Sequence, residues 1–190
     1  MNFNSLEFLI FFPIIVLLFY ILPHRIRWIM LLAASWFFYM SWSAELILLI
    51  LFTTAVSYFA AVGIEKTQSE KAKKLLLTLT LVVCLGVLFF FKYFNFLADS
   101  VTALLRLFTL PVSDLSLKLI LPVGISFYTF QTLSYVIDVY RGDIKAERHF
   151  GYYALYVSFF PQLVAGPIER PGNLIPQLRE KHVSGDDGRP

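Results

Sequence analysis

The chain has 190 residues, 58% of them apolar and 15% charged, with a formal net charge of +3. Its mean hydropathy of +0.70 lies far from that of a soluble globular domain. The apolar residues come in runs of membrane thickness, so the chain reads as an all-α, polytopic helical membrane protein. Most basic residues sit in short stretches beside those runs, where they signal topology. No basic stripe is interleaved with aromatics as in single-strand binders, which excludes nucleic acid as a partner and leaves the lipid bilayer. The one cysteine, Cys84, excludes an intramolecular disulfide and reads as a small packing residue in an apolar run.

Residues 8–22 form the first run. No Lys or Arg precedes it and no small-x-small cleavage site follows, so it reads as a retained span. Pro23 ends it, and His24, Arg25 and Arg27 form a short basic loop. Residues 28–44 make a second span, with Trp28, Trp36 and Trp42 placed as interfacial anchors. A tight turn at 41–45 leads to a third charge-free run, 46–64. Lys66, Lys71, Lys73 and Lys74 mark the next loop, and residues 75–91 form a fourth span closed by Lys92. The two basic stretches fall on one side, which the positive-inside rule makes cytoplasmic, with the N-terminus outside.

In residues 93–110, Asn95, Asp99, Thr102 and Arg106 recur at helical spacing among apolar residues. That pattern predicts an amphipathic helix lying in the outer interface. A turn at 111–114 precedes a fifth span, 119–139, after which Arg141, Lys145 and Arg148 return to the cytoplasmic side. Residues 150–160 are too short to span with ease before Pro161, which predicts a Pro-broken, re-entrant segment. The expected architecture is about five spans plus the interfacial helix and the re-entrant piece. Residues 1–181 form one unit, followed by a polar tail at 182–190.

Placed on a helix, Gly124, Tyr128, Gln131, Thr132, Tyr135 and Asp138 fall along one side. Hydrocarbon does not tolerate such a stripe, so it must face a protein interior or a wet cavity. Pro161, Pro167, Pro171 and Pro176 then punctuate the chain, and the combination points to a lined site or tunnel. Asp138 either pairs with Arg141 or belongs to the site. Gln131 is either an interhelical clamp or a substrate contact. Glu169 and Arg170 abut and can neutralise each other. His24, His149 and His182 lie in or near loops without metal-ligand spacing, so no metal is expected. No nucleophile–base pair, GxSxG elbow, P-loop or GxGxxG is present.

The run LPVGISFYTFQTLSYVIDVYRG (residues 121–142), followed by FFPQLVAGPIERP (159–171), resembles the membrane-bound O-acyltransferase family. More narrowly it is similar to the bacterial alginate O-acetyltransferase branch. FNSLEFLIFFPIIVLLFYILP and LLAASWFFYMSW resemble that branch's first two spans, so the resemblance covers residues 3 to about 181. It implies a bacterial inner-membrane enzyme with no bound cofactor. An acyl donor such as acetyl-CoA enters as substrate from the cytoplasm. A hydroxyl of an extracytoplasmic polysaccharide such as alginate accepts the acyl group, with other membrane or periplasmic acetylation subunits as partners. The motif positions that would line the path are Tyr128, Gln131, Ser134, Tyr135, Asp138, Gln162, Gly166, Pro167, Glu169 and Arg170, none with an assigned catalytic role. The family's signature histidine lies well downstream of GPIERP, and His182, in a polar tail, does not replace it. The resemblance is therefore to the N-terminal part of such an enzyme, inactive alone. Rival readings are a non-catalytic membrane subunit or truncated product and, more weakly, a transporter, against which stands the absence of any hydropathy repeat.

Overall fold

The computed structural model describes residues 5–42, 44–107, 124–163 and 169–180, and every regular element among them is helical. Helix α1 (Leu6–Ile21) is capped by Ser5, whose hydroxyl accepts a hydrogen bond from the Phe8 N–H. Only Leu22 and Pro23 separate it from α2 (His24–Met40). The expected basic loop is therefore not a loop. His24, Arg25 and Arg27 occupy the first turn of α2, because Pro23, which cannot extend α1, has the fixed φ that suits a helix entry. Arg27 folds back there, donating from Nε to the Leu22 carbonyl at 2.9 Å and covering the Phe19 ring.

A single 3₁₀ turn, Ala44–Leu46, leads into α3 (Ile47–Lys66). The buried face of α3 is Ile50, Thr53, Thr54, Ser57, Ala60, Ala61 and Ile64. Small side chains on this face let neighbouring helices approach closely. Its hydroxyls are satisfied within the helix, Thr54 by the Ile50 carbonyl at 2.6 Å and Ser57 by the Thr53 carbonyl at 2.7 Å. Helices α4 (Glu70–Leu107) and α5 (Ile125–Arg141) both pack against α3 and against each other.

Helix α4 corrects the expectation of a span followed by a separate interfacial helix. Its 38 residues are continuous, about 57 Å at the α-helical rise, well beyond the ~30 Å hydrocarbon core. No Gly or Pro lies between residues 87 and 107 to break it, and Lys92 only reaches sideways to the Ser126 hydroxyl at 3.4 Å. The sidedness of residues 93–105 is mixed, with Asp99 and Ser100 exposed among large apolar residues. Ala98 and Thr102 point inward, while Phe96 (68% exposed), Leu97, Val101 and Leu104 point outward. Ala44–Lys66 and Glu70–Leu105 are long and apolar enough to cross a membrane, and α1 is a shorter apolar helix.

Gly124 is not part of the α5 stripe. It precedes the helix in the left-handed region (φ 73°), as Gly142 follows it (φ 80°), a conformation that L side chains rarely adopt. The expected turn at 111–114, the start of the fifth span at 119 and the tail at 182–190 lie outside the described residues.

The last elements are α6 (Phe150–Ser158), α7 (Phe160–Leu163) and α8 (Pro171–Arg179). The chain breaks as expected, at the extended residue Phe159. Pro161 then sits in the first turn of α7 and Pro171 opens α8, positions where no N–H is needed. Pro176 is a correction, since it lies inside α8 without ending it. Helix α6 packs against α2, α3, α5 and α8, and residues 153–158 are all buried. The basic stretches share one end of the bundle. Arg148 pairs with Glu65 at 2.9 Å, its carbonyl accepts from the Tyr58 hydroxyl at 2.6 Å, and Trp28 packs on His149 and Tyr152. Trp28, expected as an interfacial anchor, is thus a packing residue between α2 and α6.

A Cβ at Gly151 would run into the Trp28 ring, which His149 and Tyr152 hold in place. Gly151→Val is expected to destabilise the protein by about 1–3 kcal/mol, read as a lowered melting temperature in detergent. An unchanged melt would show that α2 and α6 do not meet in this way.

Candidate functional site

The polar stripe of α5 faces the protein interior. Tyr128 and Tyr135 are 0% exposed, Gln131 is 1% exposed and Thr132 is buried, while Asp138 is only half-buried. The stripe meets the break between α6 and α7. Where α6 stops at Ser158, backbone groups lose their helical partners and need others away from water. Gln131 supplies one, donating from Nε2 to the Tyr156 carbonyl at 3.0 Å, with Gln162 Oε1 at 3.5 Å. Ser35 of α2 supplies another, its Oγ accepting from the Phe160 N–H at 3.2 Å. The Phe159 carbonyl accepts from the Gln162 N–H at 3.0 Å. Of the two readings of Gln131, the geometry therefore shows the clamp.

Five buried tyrosines surround this clamp. The rings of Tyr135 and Tyr153 are 4.4 Å apart, and Tyr156 follows Tyr153 at 6.1 Å. The Tyr153 hydroxyl shares a 2.7 Å hydrogen bond with Ser57, and the Tyr156 hydroxyl donates to the Glu169 carbonyl at 3.1 Å. Tyr39 and Tyr128 complete the group.

Other predicted positions lie elsewhere. Ser134, Asp138 and Arg170 line a cleft of about 590 Å³ between α4 and α5, with Arg141 and Asp143 at its polar end and Leu81, Leu85 and Phe130 on its apolar wall. Among the described residues no ion pair joins Asp138 to Arg141, nor Glu169 to Arg170. Glu169 and Arg170 are both exposed, and Arg170 occupies the N-cap position of α8 without a side-chain capping bond. Gly166 and Pro167 lie outside the described residues. The structure thus gathers Tyr128, Gln131, Tyr135 and Gln162 in the buried core, and Ser134, Asp138 and Arg170 in the cleft. A second, mostly apolar cleft of about 340 Å³ between α1, α2 and α8 contains none of the predicted residues.

Beside the polar cleft, the short segment after α5 is fixed by Glu147, which is almost wholly buried. Its carboxylate takes the Arg179 guanidinium and the His149 N–H, while its own N–H donates to the Tyr135 hydroxyl at 2.7 Å. His149 is a helix cap, its Nδ1 accepting from the Tyr152 N–H. Cys84 is fully buried packing. No group of three His, Cys, Asp or Glu among the described residues is placed to hold a metal.

Sequence reasoning missed Ser35, Ser57, Tyr39, Tyr153, Tyr156 and Glu147. Ser35 and Ser57 carried a usable signal, as isolated hydroxyls in apolar runs. The aromatics and Glu147 carried none, since their roles depend on partners 12 to 96 residues away.

Gln131→Leu would remove the donor to the Tyr156 carbonyl and strand a buried acceptor. The expected cost is about 1–3 kcal/mol, whereas Ser134→Ala, facing the open cleft, should change stability by less than about 0.5 kcal/mol. Thermal unfolding of the two variants side by side checks the difference.

The chain is similar over 95% of its length to curated proteins roughly three times as long. It is 39% identical to the probable alginate O-acetylase AlgI of Azotobacter vinelandii, spanning 36% of that protein. It is 38% identical to its counterpart in Pseudomonas aeruginosa, spanning 35% of it. A peptidoglycan O-acetyltransferase of Helicobacter pylori is 34% identical over 80% of this chain, which spans 32% of that protein. No family model and no solved structure matches the chain. Over nearly its whole length the chain is homologous to proteins named as alginate O-acetylases, of which it spans about a third.

Proposed function

We propose that this chain forms part of a membrane O-acetyltransferase, passing an acetyl group from an activated donor to a hydroxyl of a cell-envelope polysaccharide such as alginate. The observation that carries this reading is the 39% identity, over 95% of the chain, to a protein named as an O-acetylase. With a thioester donor such as acetyl-CoA, the acceptor oxygen attacks the acetyl carbonyl carbon and a C–O ester bond forms. The C–S bond breaks, and the hydroxyl proton is balanced by the thiol that leaves.

The geometry supports a donor route at one end of the bundle. The cleft lined by Ser134, Asp138, Arg141 and Arg170 opens beside the last turn of α5, at the end that collects the basic stretches. The positive-inside rule assigns that end to the cytoplasm of a bacterial inner membrane, with the N-terminus outside. Its two guanidinium groups suit an anionic donor, since charged hydrogen bonds to phosphate are among the stronger ones. Other membrane or periplasmic acetylation subunits would bring the polymer to the opposite face.

The residues described here supply a route and not the chemistry. Among the described residues, His149 spends Nδ1 on capping α6 and His24 lies in the first turn of α2. Turnover on this reading needs groups from the further length that the relatives possess.

Complementation tests the proposal. Cells lacking their polysaccharide acetylase receive this chain alone, or this chain with the unmatched part of a relative, and polymer acetylation is measured. Acetylation is expected only with the added part. Acetylation by this chain alone would overturn the account of the missing groups, and none in either case, with both pieces inserted, would favour a non-catalytic subunit. In the complementing pair, Arg170→Ala is expected to lower acetylation by about tenfold or more at unchanged protein level.

A further inference from the structure

The apolar cleft between α1, α2 and α8 takes no part in the clamp or in the polar cleft beside α5. Phe12, Val16 and Tyr20, four residues apart on one face of α1, form one wall, and each is large, apolar and more than a third exposed. Leu31, Phe159 and Leu178 supply the others. From Phe12 to Tyr20 the groove runs about 12 Å at the α-helical rise, close to one leaflet's share, ~15 Å, of the hydrocarbon core. Its polar end is formed by His24 and Arg27 of α2 with Gln177 and Glu180. Arg27 is set there by its Nε bond to the Leu22 carbonyl and by the Phe19 ring against its guanidinium. Arg25 is exposed in the same turn of α2. Two guanidinium groups against the one carboxylate of Glu180 leave this end positive. The rest of α1 is also exposed and apolar, at Leu9, Ile14, Leu17 and Ile21, so the groove borders a surface suited to lipid.

We propose that this cleft binds an anionic phospholipid of the cytoplasmic leaflet, with an acyl chain along Phe12, Val16 and Tyr20 and the phosphate at His24 and Arg27. Charge selects the guest. Basic pockets between helices at the cytoplasmic side favour anionic headgroups, and guanidinium bonds to phosphate are among the stronger hydrogen bonds. Size agrees. The cleft's volume of about 340 Å³ lies at the low end of ligand-sized cavities, roughly 300–1,000 Å³. A groove of that size takes an acyl chain and is too narrow for a further helix, ~10 Å across with its side chains. A lipid seated there would bridge α1 and α8 at the basic end of the bundle. The inference rests on the membrane placement of the chain and is independent of the acetyl-transfer reading.

Trp28 lines the cleft and can report on it. The purified full chain, carrying Trp36→Phe and Trp42→Phe so that Trp28 is its sole tryptophan, is titrated in detergent with phosphatidylglycerol or phosphatidylcholine brominated on the acyl chains. Saturable quenching by phosphatidylglycerol is expected, with phosphatidylcholine weaker by about fivefold or more, the weight of one basic group beside an anionic lipid. Arg27→Gln should bring the two lipids to parity. Val16→Phe fills the groove without changing charge and should weaken quenching by both. Equal quenching by the two lipids would mean ordinary solvation by lipid, and no saturable quenching would mean a cleft closed by protein, and either overturns the proposal. A preference that survives Arg27→Gln overturns it as well. The headgroup comparison and Val16→Phe decide the matter even if Arg27→Gln, which also loses the Leu22 bond, fails to fold.

Discussion

The structure depends on one constraint: a backbone interrupted inside a buried core must find new hydrogen-bond partners. Between α6 and α7 that need is met by side chains from two other helices. Gln131 of α5 reaches the Tyr156 carbonyl, and Ser35 of α2 takes the Phe160 N–H. Each bond is worth only about 1 kcal/mol net, but leaving its buried partner unmade costs more, and in hydrocarbon more still. These two contacts therefore fix how α2 and α5 sit about the broken segment. The aromatic cluster of Phe11, Phe38 and Phe160 then covers the same junction from the α1 side.

The surrounding helices are built to allow that convergence. Lipid is as apolar as a leucine surface, so burying leucines drives little association inside a bilayer. Close packing does it instead. The interior face of α3 is made of Thr, Ser and Ala with an isoleucine at each end, and the large apolar residues of α1 and α4 point outward. The hydroxyls bonded back onto their own helix make a polar sequence behave as a smooth, close-approaching surface. Tyr153 then pins α6 to α3 by its hydrogen bond to Ser57, beside the packing of Tyr58 on Phe150 and Tyr153.

At the basic end the fold changes character. The eight residues between α5 and α6 carry Glu147 and Arg148, which tie α5, α8 and α3 together through charged contacts. Half-buried ion pairs of this kind stabilise modestly, yet they restrict geometry, and they stand beside the cleft of Asp138 and Arg170. The cleft thus has one apolar and one charged wall beside these ion pairs, which is the feature behind the proposed donor route. The buried tyrosine core and this cleft are distinct surfaces of the same helix, α5.

Much of this was legible in the sequence. Run lengths predicted an all-helical chain, two of whose helices are long and apolar enough to cross a membrane, the spacing of Tyr128, Gln131 and Tyr135 predicted an inward polar face, and the basic stretches fall at one end, because each depends only on local periodicity and charge. The resemblance of residues 121–142 and 159–171 to membrane-bound O-acyltransferases was equally readable. What pattern could not decide was where elements join or what a polar residue touches. Residues 93–107 continue α4, and of the expected polar stripe Thr102 is buried while Asp99 is exposed, a difference that periodicity alone cannot set. Whether Gln131 clamps backbone or contacts substrate turned on a carbonyl 25 residues away. Likewise Asp138 and Arg141, neighbours on the helix, share a cleft without pairing. Periodicity fixes the face of a helix, but only packing chooses the partner that face will meet.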